Sequence, residues 1–533
     1  MADENTEETS RAPRPAPRTP RNALHVRSLA DALLPDELAR LGTDDLAAFL
    51  APRRWFGAKA GTPRSARVRD VIPLPWDGGP FAIARLEVAT SATGPTLYQL
   101  PLCVRGVEEI GDRMPKSVLA RVVAGDEEGV LFDATEDGAF LRALADSFAR
   151  GGAFSSNALR WIIEPIGAAA LVVPASAEIR VGSAEQSNTS IILGDEAIVK
   201  LFRKLEQGEN PDVELTRFLT GEAGFAHTPA LLGVIRFEDA AGSSVAGMLQ
   251  EFLPKSRDAW AHALDLARPY FQAPRDREAP NAFLADAERL GAVTRGMHDA
   301  LARGTTPALA PEIADASRVT AWSERARQWV RDGLGLLERQ LRAGALPKER
   351  AAEGEALVKR RDHYLGTLDE ISNTLRGDAG AAMRIHGDYH LGQVLRTARD
   401  DFMIIDFEGE PARPLAERRE KASPLRDVAG MLRSFAYAAA TLGMETKGLD
   451  VATREVRIGR WERDTREAFL RGYLGREGDA STASGILPSD TVHTRALLRL
   501  FETEKAFYEL AYELNNRPAW TWIPMRGIAK LLA

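Results

Sequence analysis

The sequence predicts an α+β fold in which two strand-rich regions precede a long helical one, and three observations carry that reading. The stretches "ARVRDVIPLP", "FAIARLEVAT" and "TLYQLPLCVR" are strand-like runs separated by the turn sequences "WDGG" and "SATG". A second group, "SAEIRVG", "NTSIILG" and "EAIVKLF", follows, its last two members joined as a hairpin through Gly194-Asp195-Glu196. From about residue 255, apolar residues recur at helical spacing, as in "FLADAERLGAVTRGMHDALA" and "RVTAWSERARQWVRDGLGLLERQLRAGA".

In chain order, residues 1–22 mix acidic residues, arginines and repeated prolines without periodicity, the composition of a disordered tail. Two short amphipathic helices come next, punctuated by Pro35 and Gly42, and open an α+β domain over residues 23–140. Residues 141–253 read as a β-rich lobe and 254–533 as a helical lobe. The helical region is interrupted once, by a polar segment at 385–395 and the strand "DFMIIDF". Polar strand ends between a β lobe and a helical lobe predict a cleft.

Composition narrows the function classes. A chain of 533 residues favours several domains, and 44% hydrophobic residues can bury a sizeable core. Lys+Arg 69 against Asp+Glu 76 leaves a net charge of −7, which argues against nucleic acid as a partner. Cys103 is the sole cysteine, which rules out an internal disulfide framework and fits a reducing cytoplasm. Neither a signal-peptide core nor an apolar run of membrane-spanning length occurs, so the expected localisation is cytoplasmic, without a membrane partner.

The segment "IHGDYHLGQVL" crowds His386, Asp388, His390 and Gln393 among apolar residues, and each such polar group needs a partner if buried. Asp406 follows eighteen residues after Asp388, at the end of the apolar run "FMIID". Two carboxylates and an amide carbonyl form a hard-oxygen set suited to Mg²⁺. The spacing of His386 and His390 raises zinc, but Gly387 and Gly392 argue against a helix presenting both on one face. His386 is expected to brace the loop through hydrogen bonds.

His386-x-Asp388, Gln393 and Asp406-Phe407 resemble the catalytic and metal segments of the protein-kinase-like phosphotransferases. The resemblance implies a bilobal protein-kinase-like fold that uses ATP and Mg²⁺. It implies that Asp388 orients or deprotonates the acceptor hydroxyl while Gln393 and Asp406 hold the metal. Gln393 stands where that superfamily usually has Asn, and Glu408 stands where protein kinases have Gly, which points toward small-molecule kinases. Lys200 resembles the strand lysine on the nucleotide phosphates, with Glu214 on the next helix as its candidate partner. "EQSNTS" replaces a glycine-rich loop, leaving Ser187, Asn188, Thr189 and Ser190 as phosphate contacts. Gln250, Glu251, Phe252 and Leu253 resemble the hinge that meets adenine, although a plain strand edge accounts for them almost as well. Asp427, early in a helix, resembles an aspartate that anchors the catalytic loop.

A wider pattern, "RRWFGAKAG", "IIDFEGEPARPLAERREKASPLRDVAGMLRSF" and "EKAFYELAYELNNRPAW", closely resembles the bacterial maltokinases. That resemblance implies an extra N-terminal cap domain ahead of the kinase lobes. It also implies phosphorylation of the anomeric hydroxyl of maltose to maltose 1-phosphate for α-glucan synthesis, and a functional association with trehalose synthase. His386, Glu408, Glu410, Arg413, Lys505, Tyr508 and Tyr512 are then the expected substrate residues. On periodicity alone, Tyr508 and Tyr512, one turn apart, belong to the core of an amphipathic helix, and only the resemblance assigns them to sugar. The rivals are an amino-sugar kinase such as glucosamine kinase, served by the carboxylates of "DFEGEP", and a catalytically silent kinase fold acting as a binding module.

Overall fold

The computed structural model describes residues 23–56, 61–112, 114–167, 173–182, 188–274, 279–411, 413–475 and 485–532. The expected tail, part of "RRWFGAKAG" and Ser187 lie outside the described residues. The chain forms two compact units, one of residues 1–213 and 230–253, the other of 214–229 and 254–533.

The first unit holds two seven-stranded sheets. One sheet runs in the order Ala23–His25, Val118–Ala124, Glu127–Asp133, Thr96–Gly106, Phe81–Thr90 and Pro63–Leu74, with Lys204–Leu205 also pairing onto Thr96–Gly106. Strand Phe81–Thr90 reads as a nearly continuous apolar run because both of its faces are covered. Phe81 and Ile83 enter one apolar cluster, while Ala82, Ala84 and Leu86 enter another with Leu38, Leu46 and Phe49 of the short N-terminal helices. Proline at 35 opens one of those helices, as its fixed backbone angle allows at a first helical position.

The second sheet runs Gly152–Ser156, Leu159–Pro165, Leu231–Asp239, Gly242–Glu251, Ala197–Phe202, Asn188–Leu193 and Ile179–Val181. Gly194 takes the left-handed backbone at the expected hairpin, with φ 59°. Helix Gly138–Arg150, capped by the Asp137 side chain on the Phe140 N–H, packs between the sheets through Phe140, Leu144 and Phe148. Ile72, Ile83 and Phe132 of the first sheet share one core with Trp161, Val199, Leu201 and Phe237 of the second.

Arg203, just past strand Ala197–Phe202, is 1% exposed. Its guanidinium pairs with Asp133 at 2.8 Å, donates to Thr135 and Thr189 hydroxyls at 3.1 and 2.8 Å, and lies 5.0 Å from the Trp55 ring. Buried Gln99 donates through Nε2 to the Phe202 carbonyl at 2.6 Å and to that of Ala246.

The second unit is helical around Leu425–Glu445, whose small residues Ala438, Ala439 and Ala440 are all buried. Helices Leu284–Leu301 and Val451–Leu474 approach so closely that a Cβ on Gly472 would lie 1.8 Å from the Glu288 carbonyl oxygen. A short sheet, Arg257–Asp258, Val394–Arg396 and Phe402–Ile404, carries the polar segment and the Asp406 strand. Among the described residues no helix is long and apolar enough to cross a membrane.

Candidate active site

Asp427 organises the polar loop. It occupies the first turn of Leu425–Glu445, is 1% exposed, and accepts the backbone N–H groups of His386 at 2.8 Å and Gly387 at 2.9 Å. His298 Nε2 lies 3.1 Å from the same carboxylate, and its Nδ1 lies 2.9 Å from the Tyr473 hydroxyl. Burial opposes the charge on Asp427, but His298, the His386 side chain and the Gly387 N–H outweigh it and hold the carboxyl below its ordinary value. Gly387 has φ 84°, and a Cβ on Gly430 would lie 2.5 Å from the Tyr389 carbonyl oxygen, so loop and helix meet backbone to backbone.

Asp427→Ala strands these buried donors and is expected to cost about 3–5 kcal/mol, measured by urea unfolding with an unchanged slope. The pH dependence has a fixed sign. A carboxyl with a depressed folded pKa contributes stability present above its unfolded pKa and lost as pH falls through the folded one. The wild type and Asp427→Ala should therefore converge in stability as the solution is acidified below about pH 4.

Both histidines serve the loop. His386 is 1% exposed, lies 2.9 Å through Nε2 from the Ile405 carbonyl oxygen, and packs its ring on Phe407. It is thus a buried brace, and its expected place among the substrate contacts is corrected: a buried ring committed to Ile405 has no face for sugar. His390 accepts the Gly392 N–H at 3.0 Å and caps the turn Leu391–Gln393. Burial, helped by Lys505 and His386, pushes its imidazole below the usual range against the pull of Asp388 and Asp406.

The Gln393 backbone carbonyl accepts the Ile405 N–H at 3.0 Å, which sets Gln393 beside the end of the Asp406 strand. Asp406 has φ 65°, an uncommon conformation for a non-glycine residue that Asp tolerates better than most. Backbone strain of this kind concentrates at functional positions. Asp388 keeps 22% of its side chain exposed, and Lys505 Nζ lies 3.8 Å from its Oδ1.

Asp388 lines a pocket with Trp329, Glu410, Arg413, Arg426, Glu504, Lys505 and Tyr508. Its charges are matched inside the pocket. Arg413 donates to Glu410 at 2.7 Å, Arg426 to both Glu504 oxygens at 3.1 and 2.8 Å, and Lys505 faces Asp388. Lys505 Nζ sits 4.9 Å from the Tyr508 ring centre, and Trp329 meets that ring edge-on at 5.0 Å. Burial, then the Glu410 carboxylate to which it hydrogen-bonds, push the Tyr508 hydroxyl up, so it stays protonated as a donor.

Expected residues Glu410, Arg413, Lys505 and Tyr508 are thus brought together with Asp388. Tyr512 is 37% exposed and lies outside this lining, with Arg517 over its ring at 5.6 Å. Glu408 also lies outside it; its carbonyl oxygen accepts Arg418 Nη1 at 3.1 Å. The sequence reading missed Trp329, Arg426, Phe501 and Glu504, although Arg426 and Glu504 adjoin the flagged Asp427 and Lys505.

In the first unit, Lys200 Nζ pairs with Asp212 at 3.0 Å, and Asp212 is fully buried. This corrects the expected partner: Glu214, two residues later on helix Pro211–Arg217, commits its carboxylate to Arg384 and Arg419. Ser190 lies directly opposite Lys200 in the hairpin, so Asn188, Ser190 and Lys200 share a face. Thr189 points the other way, is 3% exposed, and accepts Arg203 Nε at its hydroxyl, which removes it from the expected phosphate contacts.

The hinge segment is partly committed as well. Glu251 N–H donates to Ala230 and Phe252 N–H to Glu196, each at 2.9 Å, so neither amide is open to adenine as expected. Gln250 is 2% exposed, and its buried Nε2 has no acceptor among the described residues. Leu253 ends the first unit.

Comparison with known proteins places this architecture. The chain aligns with a solved glucosamine kinase in complex with glucosamine, ADP and inorganic phosphate at a TM-score of 0.64 and 21% identity, covering 94% of this chain and 99% of that one. The fold is therefore the α+β bilobal kinase-like fold. Residues 49–137 match the family described as maltokinase N-terminal cap domain. The chain is thus similar to maltokinases in its cap segment and to a sugar kinase in its fold. Among curated proteins, a glucosamine kinase of Mycolicibacterium smegmatis is 29% identical over 351 residues, covering 65% of this chain and 78% of that protein. A glucosamine kinase of Streptacidiphilus jiangxiensis is 27% identical over 354 residues, covering 65% and 72%.

Proposed function

We propose that the protein is an ATP-dependent sugar kinase that phosphorylates the anomeric hydroxyl of maltose, giving maltose 1-phosphate for α-glucan synthesis. The observation that carries the choice of a neutral sugar is the charge matching around Asp388. Glu410 and Glu504 each already hold a guanidinium, and Lys505 faces Asp388, so an ammonium-bearing sugar would meet a cation rather than an unpaired carboxylate. A neutral sugar instead finds hydrogen-bonding groups and the aromatic surfaces of Trp329 and Tyr508, which suit its apolar faces. The match to a maltokinase cap supports the same reading. The proposed association with trehalose synthase belongs to it.

In the proposed reaction Asp388 orients the acceptor hydroxyl and takes its proton as the hydroxyl oxygen bonds to the γ-phosphorus and the bond to the ADP leaving oxygen breaks. Gln393 and Asp406 offer the hard oxygens that fit Mg²⁺, which would neutralise phosphate charge. Lys200 would meet the nucleotide phosphates, and Lys505 helps fix the Asp388 carboxylate.

The second reading, a glucosamine kinase, is favoured by the names of the two curated relatives described above. Coupled ADP release with maltose, glucose and glucosamine at matched concentrations separates the two. Maltose is expected to give the highest kcat/KM, with phosphate on the anomeric oxygen by NMR. A higher value for glucosamine would replace the maltose reading, and no stimulation by any sugar would favour a silent binding module.

A further inference from the structure

We propose that Glu214 is a positioning residue for the loop bearing Asp388, acting through Arg384; the proposal rests on the reading of Asp388 as the hydroxyl-orienting base. Glu214 Oε2 accepts Arg384 Nη1 at 2.5 Å and Arg419 Nε at 3.2 Å, while Oε1 accepts Arg419 Nη2 at 2.7 Å. Arg384 lies four residues before Asp388, and Arg419 lies thirteen beyond Asp406. One carboxylate thus ties the chain entering the loop to the chain leaving the Asp406 segment. The two strands are bridged next to it, where Met383 and Ala422 exchange backbone hydrogen bonds at 2.9 and 2.8 Å.

The chemistry makes this clamp hard to replace. Arg384 is 1% exposed, and among the described residues its only ion-pair partner is Glu214. Its Nη2 is buried with no acceptor among the described residues. Burial pushes the Arg384 guanidinium below its ordinary range, the neighbouring Arg419 adds to that, and Glu214 opposes both. Neutralising Glu214 leaves a buried guanidinium beside a like charge, a far costlier state than the intact cluster. The accessible relief is displacement of the strand holding Arg384, and the two residues His386 and Asp388 move with it. A shift of about 1 Å at a reacting group is worth roughly 10²-fold in rate.

The test is Glu214→Gln, which keeps the shape and removes the charge. Expected are a kcat lowered by about 10- to 100-fold with KM for ATP and sugar within about threefold. Amide hydrogen exchange at residues 384–391 should quicken by about tenfold or more while that of helix Val451–Leu474 holds. Turnover and local exchange both within about twofold of wild type would overturn the proposal. So would weakened ATP binding with unchanged loop exchange, which would make Glu214 a partner of the nucleotide site. If Glu214→Gln does not fold, the pair Glu214→Gln with Arg384→Met removes both charges and is read the same way: faster loop exchange supports the clamp and wild-type exchange overturns it. Should wild-type protein release no ADP with any sugar, the kinase reading fails by itself, and the exchange measurement still decides the role of Glu214.

Discussion

Asp388→Asn is expected to lower turnover by about 10²–10⁴-fold, the usual worth of a positioned base, while MgATP binding is retained. The amide keeps the size of the carboxylate and an acceptor oxygen but cannot take up the proton of the attacking hydroxyl. The loop itself should survive, because its backbone is fixed elsewhere: Asp427 holds His386 and Gly387, and His386 reaches Ile405. Lys505, 3.8 Å away, loses a charge partner at a half-open position, a loss worth little in stability. Coupled ADP release together with titration calorimetry of MgATP separates chemistry from binding. Turnover close to wild type in Asp388→Asn removes this residue from the mechanism.

Asp406→Ala is expected to abolish metal-dependent nucleotide binding, since Mg²⁺ takes only one or two carboxylates from a protein and here loses one. The left-handed backbone at 406, φ 65°, complicates a bare alanine result, because Ala is less at ease there than Asp. Asp406→Asn is the control, since Asn accepts that conformation as readily and only the charge is lost. Both variants should bind ATP with an affinity no longer raised by Mg²⁺ in calorimetry. Unchanged affinity and metal dependence in Asp406→Asn would make the aspartate structural, and loss in Asp406→Ala alone would assign the effect to the backbone.

Local rules made much of the fold legible. Strands Phe81–Thr90 and Thr96–Gly106 and helix Leu284–Leu301 fall where composition, turns and periodicity put them. Residues 118–133 were not picked out as strands, although Gly125 marks a hairpin turn there with φ 62°. Asp427 is legible as a first-turn carboxylate that the resemblance assigns to anchoring the loop; which donors it holds, the N–H groups of His386 and Gly387, needed the fold.

What escaped was side-chain direction. Asp212 and Glu214 sit on one short helix two positions apart, and helical phase alone sends one to Lys200 and the other to Arg384. Thr189 belongs both to the strand-like run "NTSIILG" and to the expected phosphate contacts; residues 188–193 do form a strand, and its alternation turns Thr189 inward to Arg203. Trp329 carries no motif, and only the packing of helix Ala316–Arg342 against Thr491–Asn516 brings it to Tyr508.

The cap sheet and the lobe sheet keep no boundary that a deletion could follow. A chain trimmed at residue 140 would leave Trp161, Val199 and Leu201 facing water where Ile72, Ile83 and Phe132 had covered them, and Arg203 without Asp133, Thr135 or Trp55. Shedding the N-terminal region is therefore expected to destabilise the strand that presents Lys200, so the region is not a portable module but half of that strand's support.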